Sequence, residues 1–243
     1  GSTFLAAVLP PAVLAGGPAV FTGKLKDKSF RAQVVETIER GSAPGWENLI
    51  MGAGFDGLVI SVSKHEDYVG KSVADIAKRE KKTPYDVIFD LVAEESLGCI
   101  IILFMMDEAD ITRIMRNSWT MIGSDGIPGF GVKKVHPRMS GTFPRILGRY
   151  VREQGVLTLE EAIRKMTSLS AQTFGARGKG LLKEGFDADV VVFDPATVQD
   201  LATYEEPNQG PVGIRYVLVN GEIAAQDGKV TGATSGKVLR HGM

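Results

Sequence analysis

The sequence has little of the side-chain chemistry that usually marks an active site. Its 243 residues hold one cysteine, Cys99, and three histidines, His65, His136 and His241. A single cysteine cannot close an internal disulfide, and its setting, Gly98-Cys-Ile-Ile-Ile-Leu-Phe104, is that of a buried structural thiol. There is no His-x-His, His-x-x-x-His or Cys-x-x-Cys, whereas a catalytic zinc takes three protein ligands, commonly with two histidines at close spacing. Gly-x-Ser-x-Gly and the phosphate-cradling Gly-x-x-x-x-Gly-Lys-Ser/Thr are also missing, and the glycine-rich stretch 126–131 has the wrong spacing and a proline. Aromatic residues make up 7% and the net charge is −1, without a basic stripe or an acidic tail, which argues against nucleic acid as a partner. No apolar run reaches the ~18–20 residues of a membrane span. The apolar opening Phe4-Leu-Ala-Ala-Val-Leu-Pro-Pro11 follows no positive charge and is broken by its prolines, so neither signal peptide nor anchor is expected. A soluble cytoplasmic protein without membrane contact is the expectation.

Hydrophobic residues, at 44%, are sufficient for a sizeable core. Ser29 opens a helical pattern to Arg40, with Val34, Val35 and Ile38 on its apolar face and Gly41 as its stop. Trp46–Met51 and Gly57–Ser63 read as strands. Ser72 and Asp75 resemble a capping box for a helix to about Glu80, and Thr83-Pro84 starts another to about Glu95. The run Cys99–Met106 suits a strand covered on both faces, as in a parallel sheet. Asp107 caps a helix over Glu108–Arg116, and Trp119–Gly123 reads as the next strand, which implies a right-handed βαβ crossover. Helices follow at Pro144–Glu153, Leu159–Ser168 (capped by Thr158, with Glu161 closing the box) and Ser170–Phe174. From Gly178 the texture becomes short strands and turns, among them Asn220-Gly221, a type I′ hairpin signal.

These elements predict an α/β body over 1–177 and a small β module over 178–243. The body has only two or three βα units. A closed eight-stranded barrel needs eight, in ~250 residues. The chain therefore reads as part of something larger.

Gly123-Ser124-Asp125-Gly126 is the most informative chemical feature. Asp125 falls at the C-terminal end of a predicted strand, where α/β folds place ligand sites. A carboxylate there can bind a metal or take a proton from metal-bound water, or it can simply cap its own turn. Arg138, in His136-Pro-Arg138, suits bidentate pairing with a substrate carboxylate, or is a solvated loop arginine. His136 either assists Arg138 or caps the helix that follows. Arg145 reads as structural support. His65 reads as a surface histidine, and His241 as part of a disordered end.

Four segments in order carry a resemblance: Phe104-Met-Met-Asp-Glu-Ala-Asp110, Ile122-Gly-Ser-Asp-Gly126, His136-Pro-Arg-Met-Ser-Gly-Thr-Phe-Pro-Arg145 and Gly185-Phe-Asp-Ala-Asp-Val-Val-Val-Phe-Asp-Pro195. Together they resemble the N-acyl-D-amino-acid deacylases (D-aminoacylases) of the amidohydrolase superfamily. The last segment is shared across the superfamily, and the His-Pro-Arg…Gly-Thr-Phe-Pro-Arg run is much more specific. The resemblance implies an α/β fold class: part of a (β/α)8 TIM-like barrel with an inserted substrate-covering region at about 20–98, followed by a C-terminal piece of a small β-sandwich. It implies zinc that activates water to hydrolyse the N-acyl amide of a D-amino acid. By position, Asp125 matches the family's metal ligand and proton shuttle, and Arg138 the arginine that holds the substrate's α-carboxylate. Ser61, Ser63 and Tyr68 fall in the inserted region; Ser63 and Tyr68 are carried forward with His136 as candidate substrate contacts.

The family's His-x-His motif, bridging cysteine and further metal histidines match nothing here, and Cys99 is not the ligand cysteine. The resemblance thus implies the C-terminal half of an enzyme, with the N-terminal half as partner and an N-acyl-D-amino acid as small-molecule substrate. Alone, this chain is expected to be inactive, to hold zinc weakly or not at all, and to self-associate through uncovered strands. Two alternatives stay open: a non-catalytic structural or assembly fragment, and a related amidohydrolase with another amide substrate.

Overall fold

The computed structural model describes residues 1–41, 45–126 and 135–240. The glycine-rich residues 127–131 and His241 lie outside the described residues. The chain divides into two compact units, 1–106 and 107–243. Residues 107–177, assigned on sequence to the α/β body, share the second unit with the β module.

The first unit runs β1 (Ser2–Phe4), a 3-10 turn at Leu5–Val8, α1 (Pro11–Leu14), α2 (Pro18–Lys24), α3 (Lys28–Glu39), α4 (Leu49–Ala53) and β2 (Leu58–Val62). A 3-10 turn at Glu66–Tyr68, α5 (Val73–Glu80), α6 (Pro84–Glu95) and β3 (Ile100–Leu103) complete it. The helix starts follow local chemistry. Ser72 Oγ accepts from the Asp75 N–H at 3.0 Å and donates to the Asp75 carboxylate at 2.9 Å. Thr83 caps α6 through the Asp86 N–H at 3.1 Å, with Pro84 in the first turn, where its missing N–H costs nothing.

Residues Trp46–Met51 do not form the strand that their apolar character suggests. Asn48 accepts from the Met51 N–H at 3.1 Å and starts α4 instead. A short apolar run has no period long enough to separate helix from strand, and the cap decides it.

The sheet order is β1-β3-β2, and both pairings are antiparallel, with Thr3 and Ile60 opposite Ile101. The parallel sheet expected from Cys99–Met106 is thereby corrected. The burial behind that reading is real, because Ile101, Ile102 and Leu103 are all buried in the central strand. Burial on both faces makes a run apolar whichever way its neighbours point. Gly57 packs so tightly that a Cβ would lie 2.7 Å from the Phe104 carbonyl oxygen. The Phe104 N–H donates to the Gly57 carbonyl at 2.9 Å.

Helices α5 and α6 pack against this sheet and the opening turn, burying Ile76, Ile88, Phe89 and Val92 with Leu5, Leu9 and Ile60. Each large side chain so buried contributes about 1.5–3 kcal/mol. Cys99 sits in this core, and burial, helped by the charge of Glu95, pushes its thiol up to about 12. It is inert as a nucleophile, as its sequence setting suggests. Arg31 ties α3 to α6 through Asp86 at 3.1 Å and Asp90 at 2.6 Å, with its guanidinium over the Phe89 ring.

The second unit runs α7 (Glu108–Arg116), α8 (Arg138–Arg145), a wider π-helical stretch at Ile146–Glu153, α9 (Leu159–Met166) and α10 (Ser168–Thr173). Strands β4 (Val190–Phe193), β5 (Ile214–Val219), β6 (Glu222–Gln226) and β7 (Lys229–Val230) follow as an antiparallel meander in chain order. Met115, Ile146, Leu147, Tyr150, Leu157, Ala162 and Val198 form its core. At the β5–β6 turn Asn220 and Gly221 both take positive φ, 49° and 84°, as a type I′ hairpin demands.

Three expectations fail in this unit. Trp119–Gly123 is not a strand, so the βαβ crossover is absent. The fully buried Lys165 of α9 donates to the carbonyls of Asn117 and, at 2.9 Å, Thr120. Those carbonyls are thereby bound to a side chain rather than to a sheet ladder, and among the described residues no strand pairs with the segment. The helix expected from Pro144 begins earlier, at Arg138, and its register widens directly after the proline, which has no N–H to give. Thr158 caps α9 through the Glu161 N–H at 3.2 Å, but Glu161 does not close the box, because its carboxylate pairs with Arg164 at 2.7 Å.

Candidate active site

The Gly123-Ser124-Asp125-Gly126 turn divides its labour between two side chains. Ser124 Oγ accepts from the Gly126 N–H at 3.2 Å and closes the turn. Asp125 takes a left-handed φ of 45°, which aspartate tolerates better than most residues. Its side chain is thus not the turn's cap. It is 75% exposed, and its Oδ2 lies 2.5 Å from Nη2 of Arg138, a side chain only 21% exposed. Arg138 is therefore no solvated loop residue. It is the first residue of α8, aimed at Asp125.

His136 stands behind Arg138. Its Nδ1 accepts from the Arg138 backbone N–H at 3.1 Å, one of the orphan donors at the start of α8. Its Nε2 lies 3.3 Å from the Tyr204 hydroxyl, with the two rings edge to face at 5.2 Å. Burial, with the Arg138 charge adding to it, lowers the imidazole to about 4, so His136 is neutral near pH 7. With Nδ1 accepting, the neutral ring carries its proton on Nε2 and donates to Tyr204. Burial raises the Tyr204 phenol, which stays protonated.

Farther along α8, Arg145 pairs with Asp200 at 3.0 Å. Tyr150 donates to Glu108 at 2.6 Å, and Arg149 lies 3.4 Å from the same carboxylate. These contacts join α8 and its π-helical extension to α7 and to the segment after β4.

Ser63 and Tyr68 belong to the first unit. Ser63 Oγ donates to the buried Glu95 at 2.5 Å and accepts from the His65 N–H at 3.0 Å. Tyr68 lies between the stacked His65 ring at 4.9 Å and the Arg79 guanidinium at 4.8 Å. His65 meets Glu94 at 3.0 Å, which raises its pKa. Ser61 is buried beside the bulge in β2.

Among the described residues no three His, Cys, Asp or Glu side chains converge as a metal site would require. Asp125 offers one carboxylate, and its known partner is a guanidinium. The described donor set therefore does not fit a complete zinc site.

Residues 71–225, more than half of the chain, match the model of the amidohydrolase family. The chain belongs to this family. As an amidohydrolase it is 46% identical over 170 residues to a D-aminoacylase from Alcaligenes xylosoxydans xylosoxydans, covering 70% of this chain and 34% of that protein. A solved D-aminoacylase, described through its binuclear metal center, superposes with a TM-score of 0.69 at 43% identity, over 75% of this chain and 37% of that one. An N-acyl-D-glutamate deacylase from Bordetella bronchiseptica, solved with zinc and a phosphonate inhibitor, gives 0.66 at 35% identity, over 84% of this chain and 45% of that one. The amidohydrolase chain spans about a third of the length of the D-aminoacylase that it matches. Its fold is mixed α/β, and no helix among the described residues is long and apolar enough to cross a membrane.

Sequence reasoning picked out Asp125, Arg138 and His136, which the fold brings together. It missed Tyr204 and Asp200, which meet α8 across long chain separations that no local pattern signals. It also passed over Lys165, whose place on the apolar face of α9 beside Ala162 and Met166 was the signal available.

Proposed function

We propose that this chain is the C-terminal part of a zinc-dependent N-acyl-D-amino-acid deacylase, hydrolysing the N-acyl amide of D-amino acids to a carboxylate and a free D-amino acid. The observation that carries the reading is the pairing of an exposed Asp125 carboxylate with a largely buried Arg138, in a turn already closed by Ser124. Arg138 serves as the cationic end of the site and takes the substrate's α-carboxylate through parallel N–H donors. Asp125 holds and moves a proton at its free carboxylate oxygen, and stands as one ligand of the zinc in the complete enzyme. The exchange of partners at Arg138 is inexpensive, because an ion pair with one exposed member is worth about 1 kcal/mol or less.

In this proposal residues 1–177 are barrel with an inserted cover at about 20–98, and residues 178–243 are part of a β-sandwich. Tyr68 and Ser63 are the cover's candidate contacts, with His136 behind Arg138. Tyr68 is the better supported, since the Ser63 hydroxyl is already bonded to Glu95. The remaining ligands and barrel strands come from an N-terminal half, and the isolated chain is inactive. Val191, Val192 and Ile223 are exposed on the meander, which supports self-association of the isolated chain.

A panel of N-acetyl-D- and N-acetyl-L-amino acids plus hydantoins, offered to the complete protein, tests the reading. Release of D-amino acids alone supports it, and hydantoin cleavage moves the assignment to another amidohydrolase reaction. A second reading, a non-catalytic assembly fragment, draws on the absence of a converging ligand set among the described residues. Stoichiometric zinc and amidase activity in this chain alone would exclude it.

A further inference from the structure

The segment 200–204 meets α8 at three places. Tyr204 bonds His136, whose Nδ1 holds the first N–H of the helix. Asp200 pairs with Arg145 at the other end, 3.0 Å away. Between them Gly141 faces Asp200 so closely that an added Cβ would lie 3.1 Å from the Asp200 Cβ. Within its own helix the Arg138 carbonyl accepts from the Thr142 hydroxyl at 2.8 Å, a contact that leaves the direction of the guanidinium open. Its backbone is fixed by His136, and its side chain by a single described ion pair to an exposed carboxylate.

We propose that Tyr204 is a positioning residue for capture of the substrate carboxylate, acting through His136 on Arg138. The inference rests on the deacylase reading and adds a residue from the segment after β4 to the determinants of specificity. The tyrosine oxygen accepts from Nε2–H of the neutral imidazole and fixes the ring plane. That plane aims the Nδ1 lone pair at the Arg138 N–H, which sets the start of α8 and the direction in which the guanidinium leaves it. Tyr204 touches neither the scissile amide nor Asp125 in this scheme, so its influence falls on binding of the carboxylate end rather than on bond cleavage.

Tyr204→Phe keeps the edge-to-face ring and removes only the hydroxyl. In the complete protein, kinetics are measured with an N-acetyl-D-amino acid and with its carboxamide, which lacks the anionic end. We expect KM for the carboxylate substrate to rise about fivefold, the size of one lost hydrogen bond. Its kcat should stay within about twofold, and carboxamide kcat/KM should match wild type. Active wild-type enzyme with an unchanged KM in the variant would overturn the role of Tyr204 and leave the deacylase reading standing. Equal losses on both substrates would also overturn it, since general loosening does not discriminate by charge. A wild-type protein inactive on every N-acyl-D-amino acid would overturn the deacylase reading and this inference with it. Asp200→Asn, which keeps the shape and removes the charge facing Arg145, gives an independent arm: the same rise in KM confined to the carboxylate substrate is expected, and its absence counts against control of α8 by this segment.

Discussion

Arg138 Nη2 lies 2.5 Å from Asp125 Oδ2, joining a side chain that is mostly buried to one that is mostly exposed. The buried partner is the fixed one, so a ligand carboxylate would displace Asp125 from the arginine rather than the reverse. Arg138→Lys keeps the charge and loses the planar fork. It should raise KM for N-acyl-D-amino acids about tenfold, roughly 1.4 kcal/mol, with kcat within about twofold. Steady-state kinetics on the complete protein check this, and an unchanged kcat/KM would count against the assignment.

His136 makes folding stability depend on pH in a defined direction. Folded, its imidazole is lowered to about 4 from an ordinary 6.5, chiefly by burial. As pH falls, the unfolded chain takes up this proton first, so the stabilisation is complete above 6.5 and is lost on the way down to about 4. His65 acts in the opposite sense, because Glu94 raises it: its contribution is complete below 6.5 and is lost as pH rises through its folded value. Comparing wild type with His136→Gln isolates the first effect. Between pH 6.5 and 4 the melting temperature of the variant should fall less than that of wild type; parallel curves would show that His136 is not held neutral.

Lys165 is fully buried and donates to the carbonyls of Asn117 and Thr120. Lys165→Met fills most of the volume and takes its donor from the Thr120 carbonyl, while the Asn117 carbonyl keeps the Thr120 N–H and hydroxyl. An acceptor orphaned in this way costs about 1–3 kcal/mol, so a loss of roughly 2 kcal/mol in chemical denaturation is expected. A loss below about 1 kcal/mol would mean that water reaches the Thr120 carbonyl.

The sequence made legible what is local. Caps at Ser72, Thr83, Asp107 and Thr158 lie within three residues of the N–H groups they bind, and Asn220-Gly221 carries its turn in its own backbone preferences. Partners distant in the chain were not legible. The run around Ile101 fixes burial but not the direction of its neighbours, and Trp119–Gly123 has β-like residues, of which Thr120 gives its carbonyl to Lys165 of α9. The candidate site divides the same way. Asp125 and Arg138 stand out by motif, whereas Tyr204 and Asp200 matter only because the fold brings them onto α8.

The central claim concerns Asp125, and Asp125→Asn tests it most directly, since the amide keeps the shape of the side chain and cannot hold the proton. The measurement is kcat of the complete protein on an N-acetyl-D-amino acid, wild type and variant, with zinc content determined on both. The account predicts turnover by wild type and a loss of at least about a hundredfold in the variant. Near-normal kcat in Asp125→Asn would contradict it.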